Sequence, residues 1–364
     1  MGERMSSEAD RSSWHPDSSP VIDGRGRNVM PPSEDESSDL QLSRVDALPG
    51  DAEFGLCLTH DVDRPYKGLR SLYYATQERP EYHLRTALSS SNPYWQFGEI
   101  MQLEAELGVR SAFYFLNEQH LLTDRPASDW LSPSNWVQHL GRYDITANEI
   151  ASVIKALDAG GWEVGLHGSY HSPDDPDRLR EEKHALENVL GRPVTGGRQH
   201  HLRLTVPDTW RHHREIGLDY DTSLGSTTEC GFHGSYRPLR PFDDEFLVFP
   251  LTIMDQALPD PGTSFEEARR TCEQLLTEAA ENDAVMTVLW HPRYFNEQEF
   301  PGHRKLYRWL VHRAQELGAW VGSPGAFCKE LECEAEQGLH AQTTERSIDR
   351  TPETVHTESV GGQQ

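Results

Sequence analysis

Residues 54–63 of this chain are Phe54-Gly55-Leu56-Cys57-Leu58-Thr59-His60-Asp61-Val62-Asp63. The apolar run predicts a buried β-strand, and side chains two positions apart lie on the same face of a strand. Asp61 and Asp63 should therefore project together from the carboxyl end of the strand, the edge where α/β folds build their sites. Two carboxylates this close repel each other unless a cation or a shared proton relieves the repulsion. The stretch predicts an α/β fold with an acidic site at that edge.

Strand-like and helix-like segments alternate along the chain from residue 54 onward. The sequence predicts strands at 54–59, 110–116, 162–166, 194–198, 218–223, 246–254, 284–290 and 319–322. It predicts helices at 96–107, 146–159, 177–190, 207–216, 264–281, 301–317 and 324–331. Alternation of this kind predicts parallel strands joined by right-handed helical crossovers. The number of strands indicates a closed or nearly closed barrel.

Composition divides the 364 residues into three parts. Residues 52–331 contain nearly every periodic apolar segment, and we expect them to form one folded domain. Residues 1–51 are rich in Ser, Asp, Glu, Pro and Arg, and residues 332–364 are rich in Glu, Thr and Gln. Segments this poor in apolar residues cannot bury enough surface to fold, so both termini are predicted to be disordered.

The chain is strongly acidic, with 34 Lys and Arg against 59 Asp and Glu and a net charge of −25. This charge argues against a nucleic-acid partner, because such partners require a basic surface. Few of the bases are lysines, and the composition fits either adaptation to high salt or an ordinary acidic protein. The sequence has no apolar leader and no apolar run long enough to cross a membrane, so we expect no integral membrane segment and a cytoplasmic location.

A second motif, Gly165-Leu166-His167-Gly168-Ser169-Tyr170-His171, follows a predicted strand about a hundred residues after the first. His167 and His171 are four residues apart, and a turn here would bring both imidazoles to one side. Two histidines and a carboxylate are a ligand set of catalytic zinc sites. The same set also suits cobalt, nickel or iron, and the alternative without a metal is a hydrogen-bonded polar cluster.

Other charged residues follow later predicted strands. Arg198 or Arg203 could hold Asp61 ionised, because a guanidinium lowers the pKa of a neighbouring carboxylate. His291 directly follows an apolar strand and is a candidate general acid. Asp255 ends the preceding strand, and an Asp–His pair would fix the imidazole tautomer.

These motifs together resemble the polysaccharide deacetylase family, also called the NodB-homology family or carbohydrate esterase family 4. The resemblance covers residues of about 53–331 and lies in THDVD at 59–63, HGSYH at 167–171, GGRQHHLR at 196–203, Asp255 and LWHP at 289–292. It implies a distorted (β/α)7-type barrel and a hydrolase that removes acetyl groups from N-acetylated sugars with one divalent metal, most commonly zinc. The domain at 52–331 would then be the catalytic domain, with a carbohydrate substrate.

The resemblance also implies a role for each matching residue. Asp61 corresponds to the general base, Arg198 to the residue that tethers it, and His291 to the general acid tuned by Asp255. The implied metal ligands are Asp63, His167 and His171. The implied substrate contacts are Leu289, Trp290 and Arg203.

The chain departs from the family's usual pattern in ways that leave the substrate open. Val62 separates two aspartates that are adjacent in many members, which places the chain with an Asp-x-Asp subgroup that includes peptidoglycan-deacetylase-like and allantoinase-like proteins. Alternatives to a sugar deacetylase are therefore a hydrolase of a small non-sugar amide and a glycan-binding pseudoenzyme. The aromatic-rich connections at 64–94 and 117–145 could form walls of a substrate groove or pack over the end of the barrel.

Two histidine pairs also lie outside the family's usual pattern. They are His200-His201 and His212-His213. They suggest either a second metal site or no function, and we expect the second pair to lie on an exposed helix face.

Overall fold

The computed structural model describes residues 43–333, apart from 46, 69–70, 72–74, 77–78, 89–91, 133–134, 137–138 and 140, together with 21–22 and 28–29. Most of the predicted N-terminal disordered segment and nearly all of the C-terminal one lie outside these residues. Within the first segment, Ser43 and Arg44 form an edge strand and Val45 is buried. The predicted boundaries at 51 and 331 stay predictions.

The described strands are β1 (Val21–Ile22), β2 (Asn28–Val29), β3 (Ser43–Arg44), β4 (Phe54–Val62), β5 (Ala112–Leu116), β6 (Glu163–Gly168), β7 (Gly196–Gln199), β8 (Tyr220–Asp221), β9 (Leu239–Arg240), β10 (Leu247–Val248), β11 (Leu251–Met254), β12 (Val285–Leu289) and β13 (Ala319–Gly322). The described helices are α1 (Pro80–Leu88), α2 (Phe97–Leu107), α3 (Asn148–Ala159), α4 (Pro176–Leu190), α5 (Asp208–Glu215), α6 (Pro261–Glu281) and α7 (His303–Glu316). Residues 324–333 are also helical.

Parallel strands form a ring. β4 pairs with β12 along one edge and with β13 and then β5 along the other, and β6, β7 and β8 follow β5 in order. A single stretch of chain closes the ring, because β10 pairs with β8 and β11, two residues later, pairs with β12. With β10 and β11 counted as one interrupted strand, seven strands complete the ring. The predicted distorted (β/α)7-type barrel is confirmed.

Burial on both faces explains why β4 is nearly continuously apolar. All nine of its residues are buried. Leu56 and Leu58 pack outward into the core shared with the helices, and Cys57 faces the core that includes Tyr114 and Tyr220. Strands covered on both sides are typical of parallel α/β folds.

A buried polar network joins β4 to the helices beside the carboxyl edge. His60 contacts the Trp290 carbonyl through Nδ1 at 2.5 Å and the Glu104 carboxylate through Nε2 at 2.9 Å. The Trp290 carbonyl can only accept a hydrogen bond, so Nδ1 carries a proton. Glu104 also accepts hydrogen bonds from Tyr307 at 2.6 Å and Trp162 at 2.7 Å. His60 therefore has a structural role, which fixes the chain next to His291.

No helix among the described residues is both long and apolar enough to cross a lipid bilayer.

Candidate active site

A small cavity opens at the carboxyl edge of the barrel. Its volume is about 90 Å³, and its lining residues come from the ends of β4, β6 and β11 and from the loops that follow β4, β7, β8, β11 and β12. The lining residues are Asp61, Asp63, Arg64, His167, His200, His201, Leu202, Thr227, Met254, Gln256, His291 and Arg293. Several of the polar residues predicted from the sequence thus meet in one place.

Asp61 is held by Arg198 beneath the cavity. Arg198 Nη1 donates to Asp61 Oδ1 and to Thr59 Oγ1, both at 2.9 Å, and its Nε donates to the Thr222 carbonyl at 2.9 Å. Burial raises the pKa of Asp61, but the charge of Arg198 and the neighbouring His167 lower it, and the net shift is downward. Asp61 is therefore an anion with a fixed orientation.

His167 presents one free nitrogen towards Asp61. Its Nδ1 lies 3.0 Å from the Arg198 carbonyl, which can only accept, so this nitrogen carries the proton. Burial lowers the pKa of His167 more than Asp61 and Asp63 raise it, which favours the neutral ring. Nε2 is then unprotonated and lies 3.8 Å from Asp61 Oδ2.

His291 lies across the cavity and is oriented by Asp255. The His291 Nδ1 is 2.8 Å from Asp255 Oδ2 and 3.1 Å from Oδ1, and the backbone N–H of His291 donates to Asp255 Oδ2 at 2.5 Å. The Asp255 carboxylate is fully buried and holds the proton of His291 on Nδ1, so Nε2 is the ring nitrogen available to a ligand. The predicted pairing of these two residues is thus present in the structure.

Asp63 is paired with an arginine that the sequence reasoning did not consider. Arg293 Nη1 donates to Asp63 Oδ1 at 2.9 Å, and Arg64 Nε lies 3.7 Å from Oδ2. Burial raises the pKa of Asp63, but the charges of Arg293, His291 and Arg64 lower it far more. The repulsion expected between the two aspartates is therefore relieved by a separate guanidinium on each.

His200 and His201 enter the cavity from the turn that follows β7. The His200 ring stacks on His201 at 4.2 Å between centroids and lies 5.1 Å from the His167 ring. Burial lowers the pKa of both histidines, that of His201 to about 4. Two imidazoles that are neutral near pH 7 thus border the carboxylates.

Comparison with solved structures identifies the architecture. No family model and no curated protein sequence matches the chain. A crystal structure described as a polysaccharide deacetylase from Mycobacterium smegmatis aligns with 88% of this chain and 100% of its own, at 16% identity and a TM-score of 0.54. The chain has the polysaccharide deacetylase fold.

Two further structures share the polysaccharide deacetylase fold. One, described as a polysaccharide deacetylase from Pseudomonas aeruginosa PAO1, is 15% identical, with 78% of this chain and 93% of that one aligned and a TM-score of 0.51. The other, PuuE allantoinase, is 16% identical, with 78% and 92% aligned and a TM-score of 0.50. Identities this low establish the fold, and function must be argued from the site.

Apart from Arg198 and Asp255, which hold the lining residues Asp61 and His291, four of the predicted site residues do not line the cavity. His171 is half-buried beside Asn135, with 3.4 Å between its Nε2 and the Asn135 Oδ1. Arg203 packs over the Tyr170 ring at 4.4 Å. Trp290 is completely buried in the core on the helix side, and Leu289 belongs to an apolar cluster with the lining residues Leu202 and Met254. Of these four residues, only Leu289 therefore lies next to the cavity, through its cluster with Leu202 and Met254.

The second histidine pair has a structural role, and its predicted exposure is wrong for His213. That residue is only 1% exposed, with its Nδ1 3.2 Å from Asp221 Oδ2 and its Nε2 2.7 Å from Gln199 Nε2. His212 is partly buried and contacts the Pro173 carbonyl at 3.0 Å. Helix α5 turns this side towards β7 and β8, and the signal in the sequence is Trp210, which lies three residues before His213, is also buried and donates to the same Asp221 carboxylate.

Some aromatic residues of the aromatic-rich connections line a groove, and others are buried. Tyr66 and Trp95 line an open groove of about 930 Å³ together with the polar side chains of Asn92, Asn148 and Glu149. Tyr94 and Tyr143 are instead buried under the loops. Tyr73 and Tyr74 lie outside the described residues.

The donor types at the cavity fit a divalent metal ion, because imidazole nitrogens with free lone pairs and carboxylates stand together. His200 has two buried ring nitrogens for which the described residues offer no hydrogen-bond partner. In the described part of the chain, however, no three His, Cys, Asp or Glu side chains are close enough together to enclose an ion. Asp63 in particular is bonded to Arg293.

Three cavity residues could have been found from the sequence. His200 is the second residue after the predicted strand that ends in Arg198, so it lies at the same edge as Asp61 and His167. Arg64 and Arg293 follow Asp63 and His291 by one and two positions. The relevant signal is a polar residue just beyond a strand, whether or not it matches a motif.

Proposed function

We propose that this protein is a hydrolase of carbon–nitrogen bonds that removes an acetyl group from an N-acetylated sugar, a polysaccharide or a precursor of one. One observation carries the proposal: an aspartate anion fixed by arginine and a histidine fixed by aspartate line the same cavity. Amide hydrolysis requires a base that activates water and an acid that protonates the departing nitrogen. The shared fold with proteins described as polysaccharide deacetylases supports the same reaction class.

Asp61 is the proposed base. Arg198 keeps it ionised and holds its position, so that its free oxygen can accept a proton from water attacking the amide carbon. His291 is the proposed acid, which delivers a proton from Nε2 to the leaving amine while Asp255 stabilises the charged imidazolium. Each group contributes a factor of about 10²–10⁴ in such reactions.

A divalent metal is part of the proposal. When bound, such an ion polarises the substrate carbonyl and lowers the pKa of a bound water. Asp63 and His167 are the proposed ligands within the cavity, and zinc is the first candidate among metals that accept nitrogen and oxygen ligands. His171, the third predicted ligand, lies outside the cavity.

The cavity and the groove suit different parts of a glycan. A volume of about 90 Å³ is far below the roughly 300–1,000 Å³ that a drug-sized ligand fills, so it admits only a small group such as acetyl. Tyr66 and Trp95 in the open groove offer aromatic faces, and Asn148 and the Oε1 atom of Glu149 offer hydrogen bonds to hydroxyl groups. We propose a carbohydrate substrate on this basis.

The test is release of acetate from chitin oligosaccharides by the full-length protein. We expect release that a chelator abolishes, and we expect Asp61→Asn to lower kcat by about 10²–10⁴ because the amide cannot accept the proton. Asp158→Asn, a substitution at a partly exposed residue of α3, serves as the matched control and should keep full activity. An Asp61→Asn variant as active as the parent would exclude the proposed base.

A small non-sugar amide is the second candidate, because the cavity is small and PuuE allantoinase has the same fold. Allantoin is assayed beside the oligosaccharides with the same variants. Hydrolysis of allantoin without acetate release would mean that the substrate is a small amide and not a sugar. Binding of oligosaccharide with no hydrolysis of either compound would make the protein a glycan-binding pseudoenzyme.

A further inference from the structure

We propose that His200, rather than His171, supplies the second histidine ligand of the metal site. This inference rests on the proposed function, since it concerns the ion that the reaction would use. It departs from the ligand set that the HGSYH motif implies, and it follows from where the structure places the three imidazoles.

His200 has the features expected of a metal ligand. Its side chain is 6% exposed and lines the cavity with Asp61, Asp63 and His167. Neither of its ring nitrogens has a hydrogen-bond partner among the described residues. Burial of a polar group without a partner is unfavourable, so such a group requires an explanation. A metal bond explains one of the two nitrogens.

His167 is the natural companion of His200. The Arg198 carbonyl fixes the proton of His167 on Nδ1, and a histidine that binds metal commonly donates its other ring N–H to a carbonyl in this way. The two rings lie 5.1 Å apart between centroids and are inclined by 62°. Because no three such donors among the described residues already surround one point, binding of the ion would require these side chains to turn towards it.

The backbone after β7 is bent so that His200 reaches the cavity. His201 and Leu202 have φ values of 58° and 51°, in the left-handed region that residues with a side chain seldom adopt. Such conformations cost on the order of 1–3 kcal/mol and cluster at functional sites. The turn therefore places both histidines inward at the expense of local strain.

His171 is directed elsewhere. It lies three residues beyond the end of β6, with its Nε2 facing Asn135 and its ring against Tyr170 at 4.9 Å. Burial and the charges of Arg125 and Arg203 lower its pKa to about 4. These neighbours belong to the loop after β5 and the turn after β7, outside the cavity.

The experiment measures metal binding directly. Full-length protein is freed of metal with a chelator and titrated with Co²⁺, whose visible absorption reports the ligand environment. We expect the parent protein to bind one ion, and His200→Ala to bind it more than about 100-fold more weakly, beyond the effect of residues that only support a ligand. His171→Ala and His201→Ala should keep the affinity and the spectrum of the parent.

Two further measurements keep the result interpretable. Thermal unfolding of the metal-free variants shows whether each one folds, and His200→Gln, which keeps a polar side chain, replaces His200→Ala if that variant does not. Loss of Co²⁺ binding in His171→Ala with retention in the His200 variants overturns the inference and leaves the proposed function standing. If the parent protein releases acetate without binding an ion, both the proposed metal and this inference are refuted. Binding through His200 with no amide hydrolysis supports the inference and refutes the proposed function.

Discussion

At the scale of single residues, the site is governed by how two neighbouring carboxylates are kept charged. Asp61 and Asp63 are two residues apart, yet each has its own guanidinium, from Arg198 inside the barrel and from Arg293 above it. The two arginines differ in their surroundings. Arg198 is 1% exposed and donates hydrogen bonds to two threonines, whereas Arg293 lies in the loop that follows β12. Asp61 is thus the more rigid of the two, as a base requires.

This arrangement predicts a strong energetic coupling between Asp61 and Arg198. Removal of one partner of a buried ion pair leaves a charge without compensation, at a cost of about 3–5 kcal/mol. We expect Arg198→Met to lower the free energy of unfolding by that amount, and the double variant with Asp61→Asn to lose at least about 1 kcal/mol less than the sum of the single losses. Urea unfolding of the four proteins measures the coupling.

The control for this double-mutant cycle combines Asp61→Asn with Arg203→Met. Arg203 contacts Tyr170 and not Asp61, so these two losses should add. Additive losses for Arg198 and Asp61 as well would show that their contact contributes nothing to stability.

At the scale of helices and strands, periodicity in the sequence predicts most of the barrel and fails where polar residues or proline interrupt a pattern. Predicted strand 54–59 extends to Val62, because polar His60 and Asp61 pair with β5 although they carry no apolar signal. The predicted strand at 246–254 is split by Pro250 into β10 and β11, which pair with different neighbours. Helix α6 begins three residues before the predicted 264, where Asp260 accepts a hydrogen bond from Gly262 N–H.

The same reasoning explains which part of the site was predictable. Asp61, His167, Arg198 and His291 each lie at or just beyond a strand end, so parallel pairing alone brings them together. The spacing of His167 and His171 was interpreted as one turn that presents both rings on one side. Because β6 continues to Gly168, the chain is still extended at His167, and four further residues lead away from the cavity. Contacts of this kind depend on the loop, which residue spacing does not specify.

The network that joins β4, α2 and α7 through Glu104 predicts a pH-dependent stability. Burial raises the pKa of Glu104, but hydrogen bonds and charge from His60 and hydrogen bonds from Tyr307 and Trp162 lower it, to a net value below its ordinary 4.5. A carboxyl whose pKa is lower in the folded state stabilises the fold fully above its unfolded pKa. That stabilisation is lost as the pH falls from 4.5 through the folded pKa.

We therefore expect Glu104→Gln to reduce stability at pH 7 by about 3–5 kcal/mol, and to flatten the fall in unfolding free energy as the pH is lowered from 7 to below 4.5. Urea unfolding across this range measures both effects. Glu99→Gln, at an exposed position of the same helix, removes only a surface ion pair with Arg304, so it should lower stability by less than about 1 kcal/mol and leave the pH dependence unchanged. Equal slopes for Glu104→Gln and the parent protein would contradict the ionised network.

At the scale of the whole molecule, the dominant feature is an excess of negative charge. The chain has 59 acidic residues and 34 basic ones, so most contacts between charges at long range are repulsive. Pairs such as Arg313 with Glu273 at 2.9 Å attract at short range and are also weakened by salt. The screening length falls from about 30 Å in 0.01 M salt to about 3 Å in 1 M salt. Because the net charge is −25, we expect salt to weaken the long-range repulsion more than it weakens these attractive pairs.

We expect the free energy of unfolding of the full-length protein to rise by at least about 1 kcal/mol between 0.01 M and 1 M NaCl, as for a chain adapted to saline conditions. Urea is the denaturant, because guanidinium chloride would itself screen the charges. Sucrose at equal osmolality is the control, since it favours the compact state without screening and separates charge effects from exclusion of solute. Stability that is unchanged or lower in NaCl would mean that the attractive pairs outweigh the repulsion, and the acidity would then be that of an ordinary acidic protein.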